Sequence, residues 1–194
     1  MNARADRERL VAQARLLGCV GASAPVGPRA ARLARRLIGR GPMADGEGAF
    51  AFADVAATPD WAAWPAGRRA RLADFAAAAA CTDVLRRSID GKRLACVARR
   101  IGEPALDAIL ASPPGLVAAI PQAESALGGD ETFSALGAGV LLAEAGARPA
   151  LAARLSELFD VAPLAIDPDR GLSAAQAARG LFMAFEAGAL EAAA

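Results

Sequence analysis

Histidine is absent from all 194 positions, and so is tyrosine. The first absence excludes Ser–His–Asp and Cys–His catalysis, His-ligated zinc, and the usual general base near neutral pH. Acid–base chemistry would fall to carboxylates, to an unusual cysteine such as Cys81, or to Lys92, the only lysine. Strand formers are equally scarce, with 9 Val, 6 Ile and 3 Thr. Extended sheet is therefore not expected. Cysteine is limited to Cys19, Cys81 and Cys96, an odd set without C-x-x-C spacing. Three thiols of this kind fit a reducing cytosol and small apolar packing roles better than a disulfide framework.

Long apolar runs are missing too. The stretch from Ala108 to Ala123 is uncharged except that Pro113, Pro114 and Pro121 break it, so no membrane span is expected. The first nine residues mix acidic with basic groups and do not form a signal peptide. Leu16-Leu17-Gly18-Cys19 imitates a lipoprotein box, but Arg9 and Arg15 interrupt the apolar region such a signal needs. The expectation is a soluble, cytosolic chain.

What is abundant is alanine, at 54 residues. Alanine is the strongest helix former but buries little surface per residue. The sequence thus predicts an all-α protein, an irregular bundle of about eight or nine helices, several of them short. Three segments are expected: an N-terminal helical hairpin or appendage over 1–40, a Gly-rich linker over 41–49, and a main helical domain over 50–194. Within the last, Thr58-Pro59-Asp60 predicts a capped helix start, and one long helix is expected from about Arg68 to Ile89. Asp90-Gly91 should break it, and Gly102 should end the next helix. Further starts are expected at Pro104, Asp130 and Pro149. Ser173 with Gln176 matches a capping box for the last helix.

Net charge is +1, yet residues 1–100 carry 18 basic against 9 acidic groups, while residues 101–194 carry 4 against 12. Such asymmetry can orient a molecule between two partners. Arg29, Arg32, Arg35, Arg36 and Arg40 form a dense basic stretch compatible with phosphate contact. Solvated helix faces explain it as well, and no helix-turn-helix pattern accompanies it.

Other constellations carry less. Asp167-Pro168-Asp169-Arg170-Gly171 imitates a calcium loop, but the third acid is missing at Gly171 and the twelfth position is Ala178. Gly137-Ala138-Gly139 lacks the third glycine of a dinucleotide fingerprint, and close helix packing explains it better. No cofactor, metal or small-molecule substrate is expected. Trp61 and Trp64, three apart on a short proline-bracketed turn, read either as core anchors or as a partner hot spot.

The run Thr58-Pro59-Asp60-Trp61, the long helix, and then Leu85-Arg86-Arg87-Ser88-Ile89-Asp90-Gly91-Lys92-Arg93-Leu94 resembles the SctK/YscK-type accessory proteins of bacterial type III secretion. That family carries a Pro-x-Trp element, then an Ile-Asp segment leading into a Leu-rich helix ended by Leu-Gly, a place held here by Ile101-Gly102. Gly139-Val140-Leu141-Leu142 through Arg154-Leu155 is similar to its later pattern. The likeness covers about residues 55–160. Thr58 stands where the family carries His, and the first fifty residues find no counterpart. The resemblance implies a non-catalytic cytoplasmic adaptor, peripheral at the inner membrane, joining a membrane-ring component to a cytosolic sorting platform. Trp61, Trp64, Arg86, Arg87, Lys92 and Arg93 are the candidate partner-binding residues, with an acidic protein as the expected partner. Nucleic-acid or regulatory binding through Arg29–Arg40 is the alternative.

Overall fold

The computed structural model describes residues 3–17, 50, 52–117 and 119–193. The Arg29–Arg40 stretch, the 41–49 linker and Cys19 lie outside them. Among the described residues the chain forms ten α-helices and no strand. They are α1 (Ala3–Leu16), α2 (Phe52–Ala57), α3 (Ala66–Ala80), α4 (Thr82–Arg87), α5 (Gly91–Ile101), α6 (Glu103–Ala111), α7 (Ala123–Ala126), α8 (Asp130–Leu142), α9 (Pro149–Ser156) and α10 (Pro168–Ala193). Two 3-10 turns, Asp60–Ala63 and Ala143–Ala145, join neighbouring helices. No helix among these residues is long and apolar enough to cross a membrane.

Alanine decides the architecture. Leu72, Ala73, Phe75 and every residue from Ala76 to Ala80 are buried on α3, so this helix is enclosed on nearly all sides. Its small side chains let neighbours approach closely, and α8 packs along it more extensively than any other pair of elements. Gly137 on α8 has no room for a Cβ, which would overlap the Ala73 backbone. Gly139 abuts the Leu164 carbonyl, and Leu164 N donates to Ala135 O at 2.9 Å. The Gly137-Ala138-Gly139 segment is thus a close-packing device, as its sequence suggests. Across α3 and α8 lies α10, where Phe182 meets Phe75 edge-on with ring centroids 5.5 Å apart.

Local signals fixed several boundaries. Asp90 caps α5, its Oδ1 accepting from Lys92 N at 2.9 Å. Gly102 ends that helix at φ 93°, a left-handed conformation that glycine adopts without steric cost. Proline opens α9, and Pro104 lies in the first turn of α6.

Other expectations need correction. The helix predicted from Arg68 to Ile89 is two helices interrupted at Cys81, and α4 ends at Arg87. Here Thr82 Oγ1 donates to the Ala79 carbonyl at 2.6 Å, competing with the regular backbone ladder. Thr58 does not cap the turn that follows it. Its hydroxyl reaches back to Asp54 O at 2.9 Å and closes α2 instead. Asp130 is the first residue of α8 rather than its cap, a place held by Gly129. Ser173 lies inside α10, which begins five residues earlier at Pro168. The cap there is Asp167, whose Oδ1 accepts from Arg170 N at 3.0 Å. The acid of the calcium-like run therefore serves a helix terminus.

The described part of the N-terminal segment packs on the main helical domain. Val11, Ala14 and Leu17 are buried, and α1 packs against α2 and the 60–63 turn. Gln13 Nε2 donates to Thr58 O at 2.6 Å, and Arg154 Nε donates to Leu16 O at 3.2 Å. Leu10, Val11, Ala14 and Leu17, repeating three to four residues apart, supply the apolar face for this docking.

Candidate functional site

The six candidate residues separate into two groups. Trp61 is fully buried, its ring 5.8 Å from that of Phe159 and its Nε1 donating to Glu144 Oε2 at 3.1 Å. Trp64 is half-buried. It stacks on Phe182 at 6.1 Å and is covered by the Arg68 guanidinium, 3.7 Å from the ring centroid. Arg68 is held in turn by Glu186, 2.7 Å away. Trp61 joins the 60–65 segment to Glu144 in the second 3-10 turn and to Phe159 beyond α9, and Trp64 joins it to α10. Trp61 offers no exposed ring to a partner, which corrects its reading as a surface hot spot, whereas Trp64 keeps part of its surface in solvent.

Arg86 is corrected as well. Its Nε and Nη2 donate to Leu110 O at 3.2 and 3.0 Å, and Nη2 also bonds Ser112 O. Those carbonyls are left over at the C-terminus of α6. Arg86 is therefore a clamp between α4 and α6, with its charge placed favourably against the helix dipole.

Arg87, Lys92 and Arg93 are exposed and remain together. They flank the three-residue connection, Ser88-Ile89-Asp90, from α4 to α5. At its centre is Ile89, 102% exposed, a residue that sequence reasoning did not single out. One signal was available: an isoleucine between a helix end and an Asp cap occupies no core-facing helical position. On α5 the cations share the outer face with Arg99, while Val97 is buried and Leu94 and Ile101 pack against the core. Charge neutralisation is partial. Asp90 lies 3.7 Å from Arg93, and the Asp83 carbonyl accepts from Arg87 Nε at 3.0 Å. No ion pair engages Lys92 or Arg99 among the described residues.

Another arginine on α5 faces inward. Arg100 bonds Asp74 Oδ1 at 2.8 Å and Asp130 Oδ1 at 3.2 Å, lies over the Phe133 ring, and also reaches Ser134 Oγ. It ties α5 to α3 and α8. Burial is the larger influence on Asp74 and raises its pKa above the ordinary 3.8, although Arg100 pulls the other way. Glu144 is raised above 4.5 for the same reason, against the opposing pull of Arg179 and the Trp61 hydrogen bond.

Cys81, named above as a possible acid–base group, is buried in the core and donates weakly to Ala123 O at 3.4 Å. Burial pushes its thiol up to about 12, so it holds its proton at neutral pH. It packs as a small apolar side chain.

Fold and surface together describe an alanine-cored, all-α chain carrying a basic, isoleucine-tipped knuckle at the α4–α5 connection. No protein-family model, curated protein or solved structure matches it.

Proposed function

We propose that the chain is a non-catalytic helical adaptor that engages an acidic partner protein through the α4–α5 knuckle. The observation that carries this reading is Ile89, fully exposed between Arg87 and the Lys92-Arg93 pair. Burying an isoleucine stabilises a complex by roughly 1.5–3 kcal/mol, whereas an exposed ion pair contributes about 0–1 kcal/mol. Ile89 is then the anchor, and the cations set orientation and speed of encounter with an acidic surface. The lopsided charge along the chain suits a second contact with a basic partner. The resemblance of residues 55–160 to SctK/YscK-type proteins supports placing the adaptor in a type III sorting platform.

Pull-down from cells with Ile89→Ser and Arg87→Glu/Lys92→Glu/Arg93→Glu as controls tests the reading. The unaltered chain should retain ring or platform proteins, and each control should lose them with the melting temperature unchanged. Recovery of the unaltered chain as a free monomer would sink it. DNA affinity that falls steeply with salt, with no protein captured, would replace it by the phosphate-binding reading of Arg29–Arg40.

A further inference from the structure

Ile89 is not the only apolar side chain exposed near the α4–α5 knuckle. Leu116 is 39% exposed and lines a small cleft beside α4 together with Ala79, Ala80, Asp83 and Arg86. Arg86 connects the two places. Its guanidinium bonds Ser112 O and Ser112 Oγ at the start of the loop that carries Leu116. It also lies three residues before Ile89, at most about 11 Å of chain away. Both apolar tips therefore belong to one region of the surface.

Each tip is presented on ordered backbone. Leu116 N donates to Pro113 O at 3.2 Å across Pro114 and Gly115, and Gly115 has φ 74°, the arrangement of a type II turn. Val117 is buried and fastens that turn to the core. On the other side, Ser88 Oγ accepts from Asp90 N at 3.2 Å, and the Asp90 cap begins α5 directly after Ile89. A surface ordered before binding loses little conformational entropy on association. The cleft itself holds about 10 Å³, the space of one water-sized group, so it takes no small-molecule ligand.

The backbone around the two tips limits what can cover them. Pro113 and Pro114 have no N–H, and no strand edge exists among the described residues. A partner segment laid across this face cannot add to a sheet, so its own N–H and C=O groups must be paired internally. An α-helix meets that condition. Two apolar contact points then call for apolar residues spaced three, four or seven apart on that helix. Arg87, Lys92 and Arg93 call for carboxylates beside them.

We infer that the partner covers this face with an amphipathic α-helix, its apolar ridge on Ile89 and Leu116 and its acidic flank on Arg87, Lys92 and Arg93. This contact rests on the adaptor reading of the knuckle, and it extends that reading to the 113–116 loop and to the form of the partner's segment.

The test is photo-crosslinking of the full chain in cells, with benzoylphenylalanine in place of Ile89, Leu116 or Met183 and the cross-linked peptides sequenced by mass spectrometry. Met183 is the exposed control. It lies 3.6 Å from Arg68 in the first turn of α3, whereas the cleft borders Ala79 and Ala80 at the other end of that helix. Positions 89 and 116 should capture one segment of one protein, with apolar residues at helical spacing and Asp or Glu beside them, and position 183 should not capture it. A synthetic peptide of that segment should gain helix on binding the unaltered chain. Leu116→Ser should bind it at least about fivefold more weakly while melting within about 2 °C of the parent. Capture at neither 89 nor 116 overturns this contact and the adaptor reading together. Capture at 89 alone, or undiminished affinity in Leu116→Ser, overturns this contact and leaves the knuckle reading standing. A captured segment that stays extended or lacks acids, or cross-links to lipid or nucleic acid only, overturns it as well.

Discussion

The indole N–H of Trp61 donates to Glu144 Oε2 at 3.1 Å across 83 residues of chain, and Arg179 Nη1 shares the same acceptor at the same distance. This bond fastens the 60–63 turn to the second 3-10 turn beneath α10. A carboxylate with 7% side-chain exposure is tolerable there only because both donors face it.

Trp61→Phe keeps most of the ring but leaves Glu144 one donor short, and it should destabilise the chain by about 1–3 kcal/mol. Trp61→Ala adds a cavity and should cost about 3–5 kcal/mol. Urea unfolding of both, with Glu144→Gln and the Trp61→Phe/Glu144→Gln pair, measures the coupling. Strict additivity would show that the bond contributes nothing.

Asp74 and Glu144 should make stability depend on pH in the direction opposite to ordinary acid unfolding. Unfolded, they release protons near 3.8 and 4.5, and folded they hold them to higher pH. The native state therefore carries more protons in the interval above those values. Their contribution is fully present below it and declines as pH rises through the folded pKa values. The stability of Glu144→Gln relative to the parent should then increase as pH is raised from 4.5, and a difference that stays flat or falls would contradict the assignment.

Gly137→Ala should destabilise by about 1–3 kcal/mol or more, because its Cβ would overlap the Ala73 backbone, which cannot rotate away. Gly180→Ala on α10, with nothing within 4 Å of the new methyl, should instead stabilise by about 0.5–1 kcal/mol. Thermal melts that rank the two variants the other way would refute the close α3–α8 packing.

Arg86→Ala should cost about 1.5–3 kcal/mol, since it frees the Leu110 and Ser112 carbonyls from a charged donor. Arg87→Ala and Arg93→Ala should stay within about 0.5 kcal/mol of the parent. Equal effects at all three positions would mean that the clamp and the surface cations are not distinct.

In a Cys19→Ser background, a thiol reagent should modify Cys96 in the native protein and Cys81 only in denaturant. Cys81 is 0% exposed with its thiol pushed up to about 12, whereas Cys96 is half-exposed near Asp130. Two rapid equivalents in buffer would contradict the burial of Cys81.

The sequence by itself determined that this protein is helical, and it marked the break at Asp90-Gly91, the stop at Gly102, the proline starts and the packing glycines. Those signals act within about four residues of chain, so local steric and hydrogen-bonding preferences suffice to read them. It misplaced the start of α10, because a sequence match to a capping box at Ser173 competed with Asp167-Pro168, and it ran α3 into α4 because alanine hides the break at Cys81.

Only the tertiary structure decided which of several similar arginines stayed in solvent. Arg86 is captured by carbonyls 24 and 26 residues away, Arg100 by a carboxylate 26 residues back, and neighbouring Arg87 by neither. The same holds for α1, joined to the core by a Gln13 bond spanning 45 residues, and for Trp61, whose partner lies 83 residues on. Burial and pairing at such separations depend on where other helices come to rest, and no local preference encodes that.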